Sequence, residues 1–349
     1  MKKWKYFVLL MLITGRLVFS FNIGILKGIL KPESIAVLEN EVFILERATV
    51  YVFSLNNLQL IREFGREGQG PGEIEITPWL SNTLNVSNNS IVVDSVNKLV
   101  IFSKEGKLIG EKRRSAQFTQ AVPARENLVV RKRVESIKDK LQYSTINVFN
   151  TQSQETKELY RQKLAGQLNE VDMIPDSIHF QVYEDKILIE ESPKGFFIEV
   201  FNSRGEKLYK ISKNYKKIPV TRLDKKEAEE LLSQDSFIKM QPGGWEQIKK
   251  QWKINTLDSF PAIQDIVVAD NKIYVQTFKK QLEREEYIIM DLKGNELKRV
   301  FLPAVRKSSF TEQMMGTGVK LFCISQNKFY YIVEKDEWCE LHAEVIVKE

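Results

Sequence analysis

The sequence is poor in the residues that build most metal centres and nucleophilic active sites. Its 349 residues include only two cysteines and two histidines, Cys323, Cys339, His179 and His342. Structural zinc generally needs four Cys or His ligands, and most nucleophilic enzymes pair the nucleophile with an imidazole. Most sites of both kinds are therefore excluded, and the sequence identifies no catalytic residue and no metal ligand.

Uninterrupted apolar segments are also scarce. With 43% hydrophobic and 28% charged residues, the chain is too polar for a polytopic membrane protein and too apolar to remain disordered. The apolar run over residues 6–14 is shorter than the ~20 residues that a spanning helix needs. We expect a packed core and no transmembrane span in the mature chain.

The first twenty residues have the features of a secretory signal. Three lysines among the first five residues precede the apolar run 6–14, and Val18 and Ser20 favour cleavage after Ser20. We predict a signal peptide over residues 1–20 and an exported protein, periplasmic or secreted, that is retained at the membrane only if the signal stays uncleaved. A buried N-terminal strand is the alternative. No cysteine lies near the expected cut, so lipid attachment there is not expected.

The net charge of +6 suggests a polyanionic partner at first sight, but it belongs largely to the signal. Residues 1–20 contain four basic residues and no acidic one, which leaves 48 basic against 46 acidic residues in the remainder. A chain so close to neutrality has no general attraction for polyanions. We therefore expect no nucleic-acid partner.

Strand patterns recur along the chain with a nearly constant period. Five apolar segments have equivalent positions 49, 47, 52 and 89 residues apart. In three of them a polar turn with glycine follows (Gly106, Gly205 and Gly294), which suits the positive φ of tight hairpins. A repeat near 50 residues with four short strands is typical of a β-propeller. The equivalent positions are Phe53, Phe102, Phe149, Phe201 and Met290.

Further pairs of apolar runs bring the count to six blades. The last blade ends one strand short after residues 345–347, whereas residues 21–26 form a spare strand. We predict an all-β, six-bladed β-propeller over residues 21–349, monomeric, whose N-terminal strand completes the last blade and closes the ring. Closure would leave no open sheet edge at the seam.

The longest gap between repeats holds an insertion between blades four and five, residues 219–257. Thr221 and Asp224 have capping-box spacing. We predict two short amphipathic helices over one propeller face, either a lid or docking element or a structural decoration. The side of the first helix expected to be buried carries Leu223, Ala228, Leu231 and Leu232. The second places Trp245, Ile248 and Trp252 at helical spacing.

Residues 64–73 form a glycine-rich segment. It lacks the Lys-Ser/Thr of a P-loop, and its glycine spacing does not match the dinucleotide fingerprint. A connection between the outer strand of one blade and the inner strand of the next explains the glycines better, because the chain must turn sharply there.

This segment, with Pro78 and residues 91–95, resembles the inter-blade signature of NHL-type propellers. Over most of residues 32–302 the chain is similar to a family of exported six-bladed bacterial propellers with NHL-like repeats, often lipoproteins, whose members mostly have no assigned activity. Residues 260–263 and 273–275 are similar to its later part. The resemblance implies the fold and export, and little about activity. Unlike many members, this chain has no lipobox cysteine.

The sequence supports a separate expectation for each of five further side chains. In the NHL-like pattern Asp94 is expected to bond backbone within its own blade and not to bind metal. His179 begins an inner strand and could face the central channel, with a structural role as the alternative; His342 has no visible partner. If the protein is exported, Cys323 and Cys339 could form a disulfide between neighbouring strands, or both could be free.

Two functions are compatible with these features. The first is a binding or interaction module for a protein, peptide or glycan, without catalysis or cofactor, whose ligand-binding residues are unknown. The alternative is a calcium-dependent, lactonase-like hydrolase or lyase with its site in the central channel, because calcium binds Asp, Asn and Glu oxygens and needs no His or Cys. No calcium ligand set is recognisable in the sequence.

Overall fold

Six four-stranded antiparallel sheets form the blades of a propeller in the computed structural model of this protein. The first strands of the blades contact one another around the axis, and the strands then follow in sequence toward the rim. This confirms the predicted all-β, six-bladed β-propeller. The structure describes residues 20–78, 80–88, 90–95, 97–113, 120–125, 128–136, 142–150, 152–163, 170–174, 178–192, 195–305, 308–315 and 319–346.

The first three blades are simple meanders from the inner to the outer strand. Blade 1 contains β2 (Ser34–Leu38), β3 (Glu41–Glu46), β4 (Thr49–Ser54) and β5 (Leu60–Phe64). Blade 2 contains β6 (Thr83–Val86), β7 (Ile91–Asp94), β8 (Lys98–Phe102) and β9 (Leu108–Arg113). Blade 3 contains β10 (Gln120–Arg125), β11 (Leu128–Ser136), β12 (Gln142–Asn150) and β13 (Thr156–Lys163).

Blades 4 and 5 repeat this order, and blade 6 takes its outer strand from the amino terminus. Blade 4 contains β15 (Phe180–Tyr183), β16 (Lys186–Glu190), β17 (Phe196–Asn202) and β18 (Lys207–Lys213). Blade 5 contains β20 (Asp265–Ala269), β21 (Lys272–Gln281), β22 (Arg284–Asp291) and β23 (Glu296–Pro303). Blade 6 contains β24 (Phe322–Ser325), β25 (Lys328–Glu334), β26 (Cys339–Val345) and β1 (Ser20–Leu26).

The closure of the ring by the N-terminal strand is confirmed. Strand β1 pairs antiparallel with β26, from Ser20 opposite Glu344 to Leu26 opposite Cys339. Leu26 is fully buried in a cluster that also contains residues of blade 1. The amino-terminal strand therefore completes the sixth blade and contributes to the seam between the last blade and the first.

The repeated positions found in the sequence are structurally equivalent. Phe53, Phe102, Phe149, Phe201 and Met290 all lie on the third strand of a blade. In the turn after the second of these strands, Gly106 has a φ of +83°, and a Cβ atom there would lie 2.5 Å from the Phe64 ring of the preceding blade. The turn glycine is required by backbone conformation and by the close approach of neighbouring blades.

The insertion contains three helices, and the prediction of two was wrong. They are α1 (Arg222–Gln234), α2 (Ser236–Met240) and α3 (Gly244–Gln251), followed by β19 (Lys253–Asn255). Thr221 and Asp224 form the predicted capping box. The helix breaks at Asp235, whose carboxylate caps α2 by accepting from the backbone N–H of Ile238.

The buried side of the insertion was only partly predicted. Leu223 is 64% exposed, whereas Leu232 is fully buried. Strand β19 pairs in parallel with the short strand β14 (Glu170–Asp172), which precedes blade 4. Val171 of β14 and Leu232, near the carboxyl end of α1, belong to the same buried cluster. The core beneath the insertion contains Val171, Leu232, Ile238, Trp245, Ile248 and Phe310.

Both cysteines are free thiols in the structure. Cys323 lies on β24 and Cys339 on β26, and β25 separates these two strands, so they are not neighbours in the sheet. Cys323 and Cys339 therefore do not form a disulfide in the structure. Within the described part of the chain, the helices are all too short or too polar to cross a bilayer.

Candidate functional site

A central cavity of about 410 Å³ lies where the inner strands of the six blades meet. All six inner strands contribute side chains to its wall, among them Ala36 of blade 1, Asn85 of blade 2 and Gln181 of blade 4. Its volume lies within the range of about 300–1,000 Å³ that is usual for small-ligand sites. The predicted central channel is therefore wide enough to be a candidate binding site.

One end of the cavity lies beneath the connections that join the outer strand of one blade to the inner strand of the next. Helix α4 (Phe310–Met315), in the connection between blades 5 and 6, contributes Gln313 to the cavity wall. On one side the Asp235 carboxylate of the insertion accepts from the backbone N–H and the hydroxyl of Thr311, both at 2.8 Å. On the other side Glu312 accepts from the backbone N–H of Ser81, which precedes blade 2, at 2.8 Å.

The wall of the cavity combines neutral polar and aromatic side chains with aliphatic ones. Primary amides can donate and accept hydrogen bonds at once, so such a wall matches ligands with many hydroxyl or amide groups. Phe180, Phe278 and Phe322 add aromatic surface. The amide side chains of the wall are Asn85, Gln120, Gln181, Gln264, Gln276 and Gln313.

The charged groups of the wall have partners within the protein. The Lys320 ammonium lies 3.3 Å from the Asp265 carboxylate and 5.2 Å from the centre of the Phe322 ring. Glu285 accepts a hydrogen bond from the Gln276 side chain. A charged ligand would have to compete with these contacts for a counter-charge.

His179 contributes to the cavity wall with a buried acid behind it. Its Nδ1 lies 3.2 Å from Oε1 of Glu190, and the Glu190 side chain is 1% exposed. Lys132 of blade 3 is fully buried, and its ammonium donates to the carbonyl oxygen of Ile178 at 2.9 Å. Burial lowers the pKa of Lys132 to about 8, although the nearby Glu190 charge favours the protonated form.

The other side chains singled out in the sequence lie elsewhere. Asp94 accepts a 3.0 Å hydrogen bond from the backbone N–H of Ala121, so it bonds backbone as predicted, and this partner belongs to the next blade. His342 does have a partner, because its Nε2 lies 3.0 Å from Oε2 of Glu340 on the same strand. Of the side chains singled out in the sequence, the structure places His179 and Cys323 in the cavity wall.

The glycine-rich segment 64–73 connects blades 1 and 2, as predicted. Its backbone forms hydrogen bonds with side chains of the protein. The backbone N–H of Gly70 donates to Glu73 at 2.8 Å, and that of Gly72 donates to Glu111 at 3.0 Å. Lys98 reaches both Glu111, at 3.0 Å, and the carbonyl oxygen of Gly70. These N–H groups already have acceptors, which agrees with a structural connection.

Lys132, Glu190, Asp265 and Lys320 were missed in the sequence. Lys132 had a weak signal, because it stands two residues after the buried Val130 in an alternating strand. Glu190 follows an apolar inner run directly, where a polar end of the strand is equally plausible. Nothing local in the sequence distinguishes Glu190, Asp265 and Lys320 from solvated charges.

The cavity offers little to a nucleophilic mechanism. Burial raises the pKa of the Cys323 thiol to about 12, so the thiol stays protonated and is a poor nucleophile. Among the residues that the structure describes, no three His, Cys, Asp or Glu side chains are grouped as metal ligands would be. The arrangement is suited to hydrogen bonding and stacking with a ligand.

A family model described as DUF5128, a 6-bladed beta-propeller, matches residues 28–237. The chain belongs to this family. The matched region runs from the first blade to the end of the fourth and into the helical insertion. It includes the glycine-rich connection, Lys132, His179 and Glu190.

Several solved structures are similar to this chain at low sequence identity. A member of the DUF4221 family from Bacteroides vulgatus has 10% identity and a TM-score of 0.48, over 95% of this chain and 96% of that one. The Cps50 (Swd1) propeller domain of Myceliophteria thermophila has 9% identity and a TM-score of 0.41, over 93% and 99%. The computationally designed Ika4 protein has 14% identity and a TM-score of 0.31, over 54% and 99%. A search of curated proteins found no match.

Proposed function

We propose that this protein is an exported propeller that binds a neutral glycan in its central cavity and does not catalyse a reaction. The observation that carries the proposal is the composition of the wall: six amide side chains and three phenylalanines surround the space, while the charged groups contact other protein groups. Sugars present hydroxyl groups that donate and accept, and apolar ring faces that pack on aromatic side chains.

A glycan fits this wall better than a peptide terminus or an extended peptide. A free terminus brings a full ammonium or carboxylate charge, whose burial is costly unless a counter-charge is available. Lys320 and Asp265 already form an ion pair with each other. A neutral sugar needs no counter-charge and can use the amides directly.

Calcium-dependent hydrolysis remains the competing reaction class. A calcium ion takes six to eight oxygen ligands, including amide and backbone oxygens as well as carboxylates. Asp265 and Glu285 are the acidic residues of the described wall, and both already hold polar partners. This favours binding over metal-assisted chemistry.

Export is the compartment that the amino terminus supports. The basic and apolar segments over residues 1–20 precede the strand that closes the ring, so removal after Ser20 would leave residues 21–26 of β1 in place. N-terminal sequencing of the protein recovered from a periplasmic or culture fraction tests this. An uncut amino terminus on protein found only in the cytoplasm contradicts it.

Saturation-transfer NMR tests the ligand class. The probes are glucose, N-acetylglucosamine, cellobiose and trialanine, each with and without calcium. We expect transfer to at least one sugar, weakened in Gln181→Leu and unchanged in Gln234→Leu, whose side chain lies on the insertion outside the cavity.

Each contrary result has a distinct meaning. Transfer to trialanine alone replaces the glycan by a peptide, and transfer to none of the probes contradicts binding of either class. Conversion of a sugar to a product only in the presence of calcium would show that the competing enzymatic function is correct.

A further inference from the structure

The geometry points to His179 as the ligand-contacting hydrogen-bond acceptor of the cavity, with its bare Nε2 held ready for a hydroxyl group of a neutral ligand by the positioning residues Glu190 and Lys132. This inference rests on the proposed function and adds to it a specific residue and the direction of its hydrogen bond to the ligand. The ligand class it names is a neutral donor, such as a sugar hydroxyl.

The first step is the fixed contact on one side of the imidazole. Glu190 is held by the backbone as well as by the ring: Oε1 accepts from the N–H of His179 at 3.1 Å and Oε2 from the N–H of Ser192 at 2.8 Å. The carboxylate thus cannot rotate away without losing two backbone hydrogen bonds. Nδ1 of His179 therefore faces a fixed acceptor at 3.2 Å.

The second step is the charge of Glu190. An ionised carboxylate only accepts hydrogen bonds, whereas a protonated one can donate. Lys132 is fully buried close to Glu190, and its ammonium donates to the carbonyl oxygen of Ile178, the residue before His179. Both oxygens of Glu190 already accept backbone hydrogen bonds, as those of an ionised carboxylate do, and the buried ammonium couples blade 3 to the strand that carries His179.

The consequence is a defined tautomer. Because Glu190 can only accept, the proton of the neutral ring must lie on Nδ1, which leaves the lone pair on Nε2. The side chain of His179 is 27% exposed and contributes to the cavity wall. Among the described residues, no protein group bonds to Nε2, so this nitrogen remains for a ligand.

The polarity of Nε2 selects the ligand group. A bare imidazole nitrogen accepts from O–H or N–H groups and repels a carboxylate. The neighbouring amides of Gln181 and Gln264 can rotate to donate or accept, whereas the direction at His179 is set by the protein. His179 would therefore orient a ligand hydroxyl that the amides alone would leave undefined.

The tautomer can be read directly, because the chain has only two histidines. Long-range ¹H–¹⁵N spectra of protein labelled with ¹⁵N-histidine at pH 8 distinguish protonated from bare ring nitrogens, and His342→Gln assigns the two rings. We expect Nδ1–H and bare Nε2 for His179. The Glu190→Gln variant, whose amide can also donate, should shift the ring toward the Nε2–H tautomer, which a merely structural role of Glu190 would not predict.

The ligand role is tested with the sugar that gives the strongest saturation transfer in wild type. It should shift the Nε2 resonance of His179, and His179→Phe should weaken binding at least tenfold, while His342→Gln should not. Melting curves by circular dichroism establish that each variant is folded. A folded His179→Asn variant serves if the phenylalanine is not tolerated.

The outcomes separate the two proposals. An Nε2–H tautomer in the wild-type protein, or full sugar affinity in folded His179→Phe and His179→Asn, overturns the role of His179 while leaving cavity binding intact. Failure of the wild-type protein to bind any sugar contradicts the proposed function, and the ligand role of His179 with it, even if the tautomer is as expected.

Discussion

Arg284 of blade 5 and Glu344 of blade 6 form a two-pronged ion pair across the seam between these blades. The two guanidinium nitrogens lie 3.1 and 2.5 Å from the two carboxylate oxygens. Glu344 lies opposite Ser20 of the N-terminal strand, so this contact is made on the strand that receives the closing strand. The Glu344 side chain is 1% exposed, whereas that of Arg284 is 31% exposed.

Removing the cation from this pair should destabilise the protein strongly. Arg284→Met would leave the Glu344 carboxylate buried without its counter-charge, which costs about 3–5 kcal/mol in comparable pairs. Arg204→Met, at an exposed turn of blade 4, should change the free energy of unfolding by less than about 0.5 kcal/mol. Urea denaturation measures both, and equal losses in the two variants would show that the seam pair contributes nothing particular.

The closing strand should stabilise the ring through one side chain above all. Leu26 is fully buried, and its neighbour Ile25 is 48% exposed. Leu26→Ala should lower the free energy of unfolding by about 2–5 kcal/mol, because it leaves a cavity at the seam, and Ile25→Ala should have little effect. Deletion of residues 21–30 should lower the melting temperature by many degrees. A melting curve unchanged by the deletion refutes closure by this strand.

Substitutions at three glycines distinguish the effect of backbone strain from the effect of steric contact. Gly28 has a φ of +83° with no atom within 4 Å of an added Cβ, Gly106 has the same φ with the Phe64 ring at 2.5 Å, and Gly110 has neither restriction. Substitution by Ala should lower the free energy of unfolding by about 1–2 kcal/mol at Gly28 and by more at Gly106. At Gly110 the same substitution should leave the free energy of unfolding unchanged or raise it slightly. Thermal denaturation of the three variants gives the order, and a Gly106→Ala variant as stable as Gly110→Ala would disprove the close approach of blades 1 and 2.

Lys132 should give the protein a stability that rises with pH. Its pKa is about 8 in the folded chain and about 10.5 when the side chain is solvated. Between these values the unfolded chain binds a proton that the folded chain releases, so this contribution is complete above about pH 10.5 and is lost as the pH falls to 8. A shift of this size corresponds to about 3 kcal/mol.

The comparison with Lys132→Met isolates this contribution. Burial raises the pKa values of Tyr330 and Cys323 to about 12, so their contribution to the stability of the protein falls as the pH rises. Both groups are present in wild type and in the variant, so this contribution cancels in the comparison. The difference in the free energy of unfolding, wild type minus variant, should therefore increase between pH 8 and 10. A difference independent of pH would show that Lys132 titrates normally.

The candidate site was predictable only in outline. The inner strand that begins near His179 placed this residue by the channel, because strand order within a blade follows from the repeat. Its partners could not be predicted: Lys132 bonds to Ile178, 46 residues away, and the pairing depends on how blade 3 faces blade 4. Asp94 shows the same limit, since its backbone partner Ala121 belongs to the next blade.

The insertion illustrates where local patterns fail. The capping box at Thr221 was correct, because it depends on four consecutive residues. The prediction that Leu223 is buried was wrong, because α1 packs against β14 and against Phe310 of α4, both distant in sequence. The break at Asp235 is likewise explained by its contact with Thr311, 76 residues further on.

The sequence by itself determined the six blades, the strand that closes the ring and the glycines of the hairpin turns. These features depend on apolar alternation and backbone conformation, which are local and repeat every 50 residues or so. Only the tertiary structure decided the composition of the cavity wall, the burial of Lys132 and Glu190, and the contacts of α4 with the insertion and with Ser81. These features depend on contacts between blades, in which side chains pack against residues distant in sequence. No local sequence pattern predicts such contacts.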